Sequence, residues 1–274
     1  MSRLPAVTGI IDWAVTNPGA PDTILLLHSL GTNRTMWDGQ VEWLAASGWR
    51  VIAVDLPGHG RSTASRAPYT VDTLARDLKE VSEICGAEEF VVTGISIGGL
   101  IGLWLAINLP ERVSALIVAN TAARLGSEAF WADRIAAVQA GGMEAIRGPV
   151  VSRFFAPGFE ATHPELFIRY NAIFSSNDPT GYAGCCALLR DTDLTSEVGS
   201  IRCPTLVIGG GLDLAAPPEQ SEWLHRSIGG SRLEIFEGAA HLSNLDQPDL
   251  FNEALVSFLT HPRRRGRPRP SAPA

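Results

Sequence analysis

Residues 90–102 constrain this chain more than any other stretch. They read Phe90-Val91-Val92-Thr93, then Gly94-Ile95-Ser96-Ile97-Gly98, then Gly99-Leu100-Ile101-Gly102. An apolar run that suits a buried strand leads directly into a serine fenced by glycines, and then into small and apolar residues that suit a helix. This is the Gly-x-Ser-x-Gly elbow, which leaves a serine Oγ exposed at the tip of a sharp turn. The turn strains the serine backbone and brings neighbouring chain close, so side chains at Gly94 and Gly98 would clash. By chance alone the pattern arises in a chain this long at a rate on the order of a tenth. Its meaning rests on what surrounds it.

The rest of the chain alternates in the way a parallel sheet requires. A first strand is expected over 6–16, a turn over 17–21, and a short apolar strand over 23–27 that runs into His28-Ser29-Leu30-Gly31-Thr32-Asn33. Further strands are expected over 49–54, 90–93, 113–119, 204–209 and 233–236. Helices are expected over 37–46, 71–85, 100–109, 219–227 and 250–259. Between 124 and 195 no strand pattern occurs. This segment reads as several helices that cap the sheet, rich in aromatics: Phe130, Trp131, Phe154, Phe155, Phe159, Phe167, Tyr170, Phe174 and Tyr182. Residues 1–123 and 196–262 then form the core, 124–195 the helical cap, and 263–274, made of Arg, Pro, Gly, Ser and Ala, a disordered tail.

Two further residues complete a chemical set. Asp213 follows the strand at 204–209, and His241 follows the strand at 233–236. The order Ser…Asp…His, each just after a strand, is that of α/β-hydrolase triads. All three can therefore meet at the C-terminal edge of one sheet. The expected fold is an α/β-hydrolase fold, a mostly parallel sheet flanked by helices with a helical cap insertion. In it His241 takes the proton of Ser96, and Asp213 orients the imidazole. Two backbone N–H groups, of Leu30 and of Ile97, are expected to hold the oxyanion. Asp213 also suits the N-cap of the helix near Pro217, and Asp193 is the rival acid, inside the cap. His28 is read as a prop for its loop, and His59 and Arg61 as braces of the turn at 55–62. His163, His225 and His261 have no strand context and are read as surface residues.

Composition narrows the partners. With 45% hydrophobic residues the chain can bury a large core. The formal charge is −7, and setting aside the five tail arginines (263, 264, 265, 267 and 269) leaves a body at −12. An acidic body argues against nucleic acid. No apolar run is long enough for a membrane span. The start of the chain carries no apolar signal segment. Cys85, Cys185, Cys186 and Cys203 form no metal-ligand spacing, so no metal is expected and a reduced, cytoplasmic protein is.

The chain also resembles a particular family. Ser29-Leu30-Gly31-Thr32 with Met36-Trp37, Gly58-His59-Gly60-Arg61-Ser62, Gly94-Ile95-Ser96-Ile97-Gly98-Gly99, Asn120-Thr121-Ala122-Ala123, Gly181-Tyr182-Ala183-Gly184-Cys185-Cys186-Ala187 with Arg190-Asp191, and Ala240-His241-Leu242-Ser243-Asn244 are similar to stretches of the 3-oxoadipate enol-lactonases. The likeness spans roughly residues 8–260. It departs at His28, where Asn is common, at Asp55-Leu56-Pro57, and at Arg153-Phe154-Phe155, where Arg-Trp-Phe is usual. The resemblance implies cofactor-free hydrolysis of a small anionic lactone, 3-oxoadipate enol-lactone to 3-oxoadipate, in the β-ketoadipate pathway of aromatic-compound catabolism. An anionic substrate meeting an acidic body needs a local cation. Arg124, Arg134, Arg153 and Arg190 are the candidates, and Phe154 the candidate for pocket shape. A carboxylesterase, a carbon–carbon bond hydrolase or a perhydrolase uses the same scaffold. A binding protein that keeps the fold is the remaining alternative.

Overall fold

A computed structural model describes residues 2–6, 8–65 and 69–260. Eight strands form one sheet in the order β1-β2-β4-β3-β5-β6-β7-β8. They are β1 (Ser2–Ala6), β2 (Gly9–Thr16), β3 (Thr23–Leu27), β4 (Arg50–Asp55), β5 (Phe90–Ile95), β6 (Val113–Ala119), β7 (Thr205–Gly210) and β8 (Arg232–Phe236). From β4 to β8 all neighbours are parallel; β1–β2 and β2–β4 are antiparallel. The strand expected over 6–16 is present as β2, and the preceding residues add β1, which pairs with it as a hairpin. Gly9, at φ 131°, turns the chain within a connection too short to hold a visible turn cluster.

The central strands bury every residue of β3, β5 and β7, which is why they read as unbroken apolar runs. Between β3 and β8 lie α1 (Asp38–Ala46), α2 (Val71–Ile84) and α3 (Ile97–Asn108), then α4 (Glu128–Gly141), α5 (Arg147–Val151), α6 (Phe159–Thr162), α7 (Pro164–Ser175) and α8 (Pro179–Asp191), and then α9 (Pro218–Ser227). The chain closes with α10 (Ser243–Asp246) and α11 (Pro248–Leu259). Helix α3 starts at Ile97, directly after Ser96, three residues before the apolar periodicity suggests. The tail at 263–274 and His261 lie outside the described residues. The four cysteines are unpaired, with Cys185 and Cys186 buried. Among the described residues no helix is long and apolar enough to cross a membrane.

Helices α4–α8 all fall between β6 and β7, where the segment at 124–195 was expected to be helical. Two seams tie them to the loops of the sheet. At one, Asp178 N–H donates to Gly58 O at 2.8 Å and the Asn177 side chain to Gly31 O at 3.0 Å. Gly58 and Gly181 face each other there, and a Cβ on either would overlap the other's backbone. At the second seam Leu242 N–H donates to Phe154 O at 2.8 Å, and the Asp246 carboxylate accepts from both Ala156 N–H and Ala240 N–H. The residue after His241 is thus bonded directly to the insertion.

A charge pair that would repel is built into the sheet and neutralised. Asp12 on β2 and Asp55 on β4 are register partners. Arg34 bonds to both, reaching Asp55 Oδ2 at 2.6 Å. Asp55 also accepts from the backbone N–H of Arg34 and of Arg61 at 2.8 and 2.9 Å. One buried carboxylate thereby anchors both the loop after β3 and the turn after β4. Burial raises its pKa above the ordinary value, against those N–H groups and Arg34.

Candidate active site

Ser96 sits between β5 and α3 at φ 59°, ψ −120°, a conformation that costs of order 1–3 kcal/mol for a non-glycine residue. Its surroundings hold it there. Ser96 N–H donates to Ala119 O at 3.0 Å, and Thr121 Oγ1 donates to Ser96 O at 2.7 Å. A Cβ on Gly94 would overlap the Gly98 carbonyl, and one on Gly98 would overlap the Leu27 carbonyl. These glycines are required by close approach of backbone.

His241 and Asp213 are a bonded pair. His241 Nδ1 lies 2.9 Å from Asp213 Oδ2 and 3.1 Å from Oδ1, both side chains almost wholly buried. Burial alone would raise the Asp213 carboxyl. The charge and hydrogen bond of His241, with Ala216 N–H and the Asn120 side chain, outweigh it and hold the pKa below the ordinary value. Asp213 Oδ1 also accepts from Ala215 N–H at 2.7 Å and Ala216 N–H at 3.0 Å, so it shapes its own loop while α9 starts at Pro218 without it. Asp193 lies elsewhere, paired with Arg124 at 3.2 Å.

Ser96 and His241 open into one cavity of about 240 Å³. Ser29, Leu30, Phe130, Trp131, Arg134, Arg153, Phe154 and Tyr182 also line it. Of the nine aromatics of the insertion, four thus face the cavity. The remaining five do not line it: Phe155 stacks on Phe159 at 4.1 Å, Phe167 and Tyr170 lie against Phe155, and Phe174 packs against Phe154 and Tyr182.

The two expected oxyanion donors are placed differently but share one property. Leu30 lines the cavity; Ile97 is buried at the first position of α3, next to Ser96. Among the described residues neither N–H has a hydrogen-bond acceptor. Free, oriented N–H groups beside a nucleophile are what a developing oxyanion needs.

The four arginines separate into two groups. Arg134 and Arg153 line the cavity. Arg124 and Arg190 do not; each is tied to a nearby carboxylate, Arg124 to Asp193 and Arg190 to Asp191 at 2.7 Å. Arg134 is half-buried, with its guanidinium 4.7 Å from the centre of the Phe130 ring and 5.5 Å from that of Trp131. On α4 Arg134 follows Phe130 by four residues and Trp131 by three, which brings its side chain onto both rings. Among the described residues its hydrogen-bond partner is Tyr182 OH, at 3.5 Å. Among the described residues neither Arg134 nor Arg153 is paired with a carboxylate.

One buried residue of the site has no local signal in the sequence. Asn120, at φ 49°, donates to Asp213 Oδ2 and to Ala240 O, each at 3.0 Å, and accepts from Ser243 Oγ. It locks the Asp213 and His241 loops together. Its partners lie 93 and 123 positions away in the chain, so only the family-like Asn120-Thr121-Ala122-Ala123 stretch could have drawn attention to it.

The sheet, the elbow and the insertion together define an α/β hydrolase. The family described as alpha/beta hydrolase fold matches residues 22–248. The chain is 34% identical to 3-oxoadipate enol-lactonase 2 of Acinetobacter baylyi, over 91% of this chain and 92% of that protein. It superposes on the crystal structure of the enol-lactonase from Burkholderia xenovorans with a TM-score of 0.91 at 32% identity, covering 95% and 100% of the two chains. It is also 30% identical to a pimeloyl-[acyl-carrier protein] methyl ester esterase of Neisseria meningitidis, over 88% and 94%. On these likenesses the chain belongs to the 3-oxoadipate enol-lactonase family of the α/β hydrolases, and it is an ester or lactone hydrolase.

Proposed function

We propose that the protein opens 3-oxoadipate enol-lactone to 3-oxoadipate through an acyl-enzyme on Ser96, as a cytoplasmic step of aromatic-compound catabolism. The observation that carries the substrate reading is Arg134. A half-buried guanidinium in the same cavity as Ser96 and His241, stacked on two rings and free of any carboxylate among the described residues, is suited to a substrate carboxylate. Arg153, which lines the same cavity, supplies a second positive charge. The relatives named enol-lactonases support the same reading. Four unpaired cysteines, two of them buried, suit a reducing compartment.

In this mechanism Ser96 Oγ attacks the lactone carbonyl while His241 Nε2 takes its proton, since Nδ1 is committed to Asp213. Asp213 stabilises the imidazolium. The N–H groups of Leu30 and Ile97 hold the oxyanion, each worth about 3–4 kcal/mol in sites of this kind. The ring C–O bond breaks, His241 hands the proton to the leaving oxygen, and the resulting enol relaxes to the ketone. Such a leaving group needs little acid assistance, so acylation is easy. Water, deprotonated by His241, then attacks the acyl carbonyl, and the same proton passes to Ser96 Oγ as the acyl-enzyme bond breaks.

The test uses freshly prepared enol-lactone, followed by its loss of absorbance, beside a panel of neutral p-nitrophenyl esters and a Ser96→Ala control. Fast lactone turnover that Ser96→Ala abolishes, with slow ester cleavage, is the expected result. Fast ester cleavage without lactone turnover would instead support a carboxylesterase, the reading that the methyl ester esterase relative favours.

A further inference from the structure

The loop that carries Leu30 is gripped by two buried histidines, each reaching from one loop to the other. His28 belongs to the loop after β3. Its Nδ1 lies 2.8 Å from Ser29 O, and its Nε2 accepts from Leu56 N–H at 2.9 Å, across the turn after β4. His59 belongs to that turn. Its Nδ1 lies 2.9 Å from Pro57 O, and its Nε2 accepts from Gly31 N–H at 3.1 Å, back in the first loop. A carbonyl can only accept and an N–H can only donate. Each ring must therefore be neutral with its proton on Nδ1. The rings lie 5.2 Å apart and both residues are 0% exposed. Burial keeps them neutral, lowering His28 to about 4 and His59 to about 3.

This grip has a geometric consequence. Ser29 O accepts from His28 Nδ1, from Thr32 N–H at 3.1 Å and from Thr32 Oγ1 at 2.7 Å. In a planar trans peptide the C=O and the following N–H point in opposite directions. Three donors on Ser29 O therefore turn the Leu30 N–H the other way, and it has no acceptor among the described residues. His59 fixes the next N–H, that of Gly31, so the peptides on both sides of Leu30 are held.

We propose that His28 and His59 form a reciprocal clasp that positions the Leu30 N–H as an oxyanion donor, making both of them positioning residues for catalysis. The proposal rests on the reading of Leu30 given above. It separates His59 from a mere brace of its turn, because its bond to Gly31 acts on the neighbouring loop.

The test compares H59F, which keeps an aromatic ring against Tyr182 but removes the acceptor, with H59Q, whose amide oxygen can still accept from Gly31 N–H. Both are measured beside wild type and Ser96→Ala on a p-nitrophenyl ester and with a trifluoromethyl ketone, which forms a tetrahedral oxyanion on the serine. H59F is expected to lower kcat about ten- to a hundredfold, part of the loss seen when a whole donor is removed. KM should stay within about twofold, ketone affinity should fall by the same factor as kcat, and H59Q should recover most of both. H28N, which keeps a donor for Ser29 O, should stay closer to wild type than H28L, and this pair decides the matter if H59F does not fold. Unchanged kcat and ketone affinity in H59F, or equal kcat in H28N and H28L, would overturn the clasp while an inactive Ser96→Ala left the site reading intact. An active Ser96→Ala would overturn the site reading itself.

Discussion

On the sheet side of the cavity, Asp213 accepts from four groups: His241, Asn120, Ala215 and Ala216. On the insertion side, Arg134 lies on two aromatic rings and, among the described residues, meets no carboxylate. In the first region the carboxylate is satisfied by groups of the chain itself, and the backbone is specified by close contacts such as those at Gly94 and Gly98. The second holds a cation against two π-faces and one distant hydroxyl, with no carboxylate among the described residues. A region closed on itself fixes chemistry common to every substrate. A region with an open charge selects among substrates. Changes on the two sides should therefore differ in kind.

The largest effect expected is at Asp213. Asp213→Asn should lower kcat on the order of 10⁴-fold, for the lactone and for a neutral ester alike, because the imidazole loses its orienting charge. Steady-state kinetics on both substrates checks this, and a loss confined to the lactone would break the division between the two regions.

Next comes acid stability, which belongs to the sheet side. His28 and His59 titrate near 6.5 in the unfolded chain but are lowered to about 4 and about 3 in the fold. Below 6.5 the unfolded chain takes up their protons first. Their contribution is fully present above 6.5 and is lost as pH falls from there toward 4, about 3 kcal/mol for His28 alone. Asp55 and Asp246, raised by burial, act in the opposite direction and flatten the total. Tm measured against pH for wild type and H59Q separates the contributions. The wild-type curve should drop more steeply between 6.5 and 4, and parallel curves would contradict the assignment.

Arg134→Gln should raise KM for the carboxylate-bearing lactone roughly tenfold to a hundredfold, the worth of about 1.5–3 kcal/mol in charged hydrogen bonds. A neutral ester should change less than about twofold. Equal losses on both substrates would assign Arg134 to structure. The smallest effects belong to the arginines that do not line the cavity. Arg124→Ala and Arg190→Ala remove exposed ion pairs worth about 0–1 kcal/mol, and kcat/KM for the lactone should stay within about twofold. A tenfold loss in either would move the carboxylate site away from Arg134.

The same contrast decides what could be read from the sequence. The sheet was legible because β3, β5 and β7 are buried on both faces and read as apolar runs, and the strand at 113–119 falls where β6 lies. The elbow was legible because only glycine fits beside it. The hairpin at the start was not, since its turn carries no Pro or Asn cluster. The early start of α3 was hidden because Ile97, Gly98 and Gly99 carry the constraints of the elbow and not a helical periodicity. In the insertion, helical character was readable but rotation was not. Nothing in the spacing separates Trp131, which faces the cavity, from Phe159, which stacks on Phe155. The acid beside Arg190 was visible at Asp191. The acid that holds Arg124 is 69 positions away and was not. Asn120 and the histidine clasp depend on hydrogen bonds between distant loops, which local pattern cannot reveal.

The central claim is that the closed region at the sheet edge holds one activated serine. Intact-protein mass spectrometry with peptide mapping, after treatment with a p-nitrophenyl phosphonate, tests it most directly. The account predicts a single adduct on the peptide that carries Ser96, formed at a rate that Asp213→Asn sharply reduces, and no adduct in Ser96→Ala. An adduct on another residue, or one that forms equally well in Ser96→Ala, would contradict it.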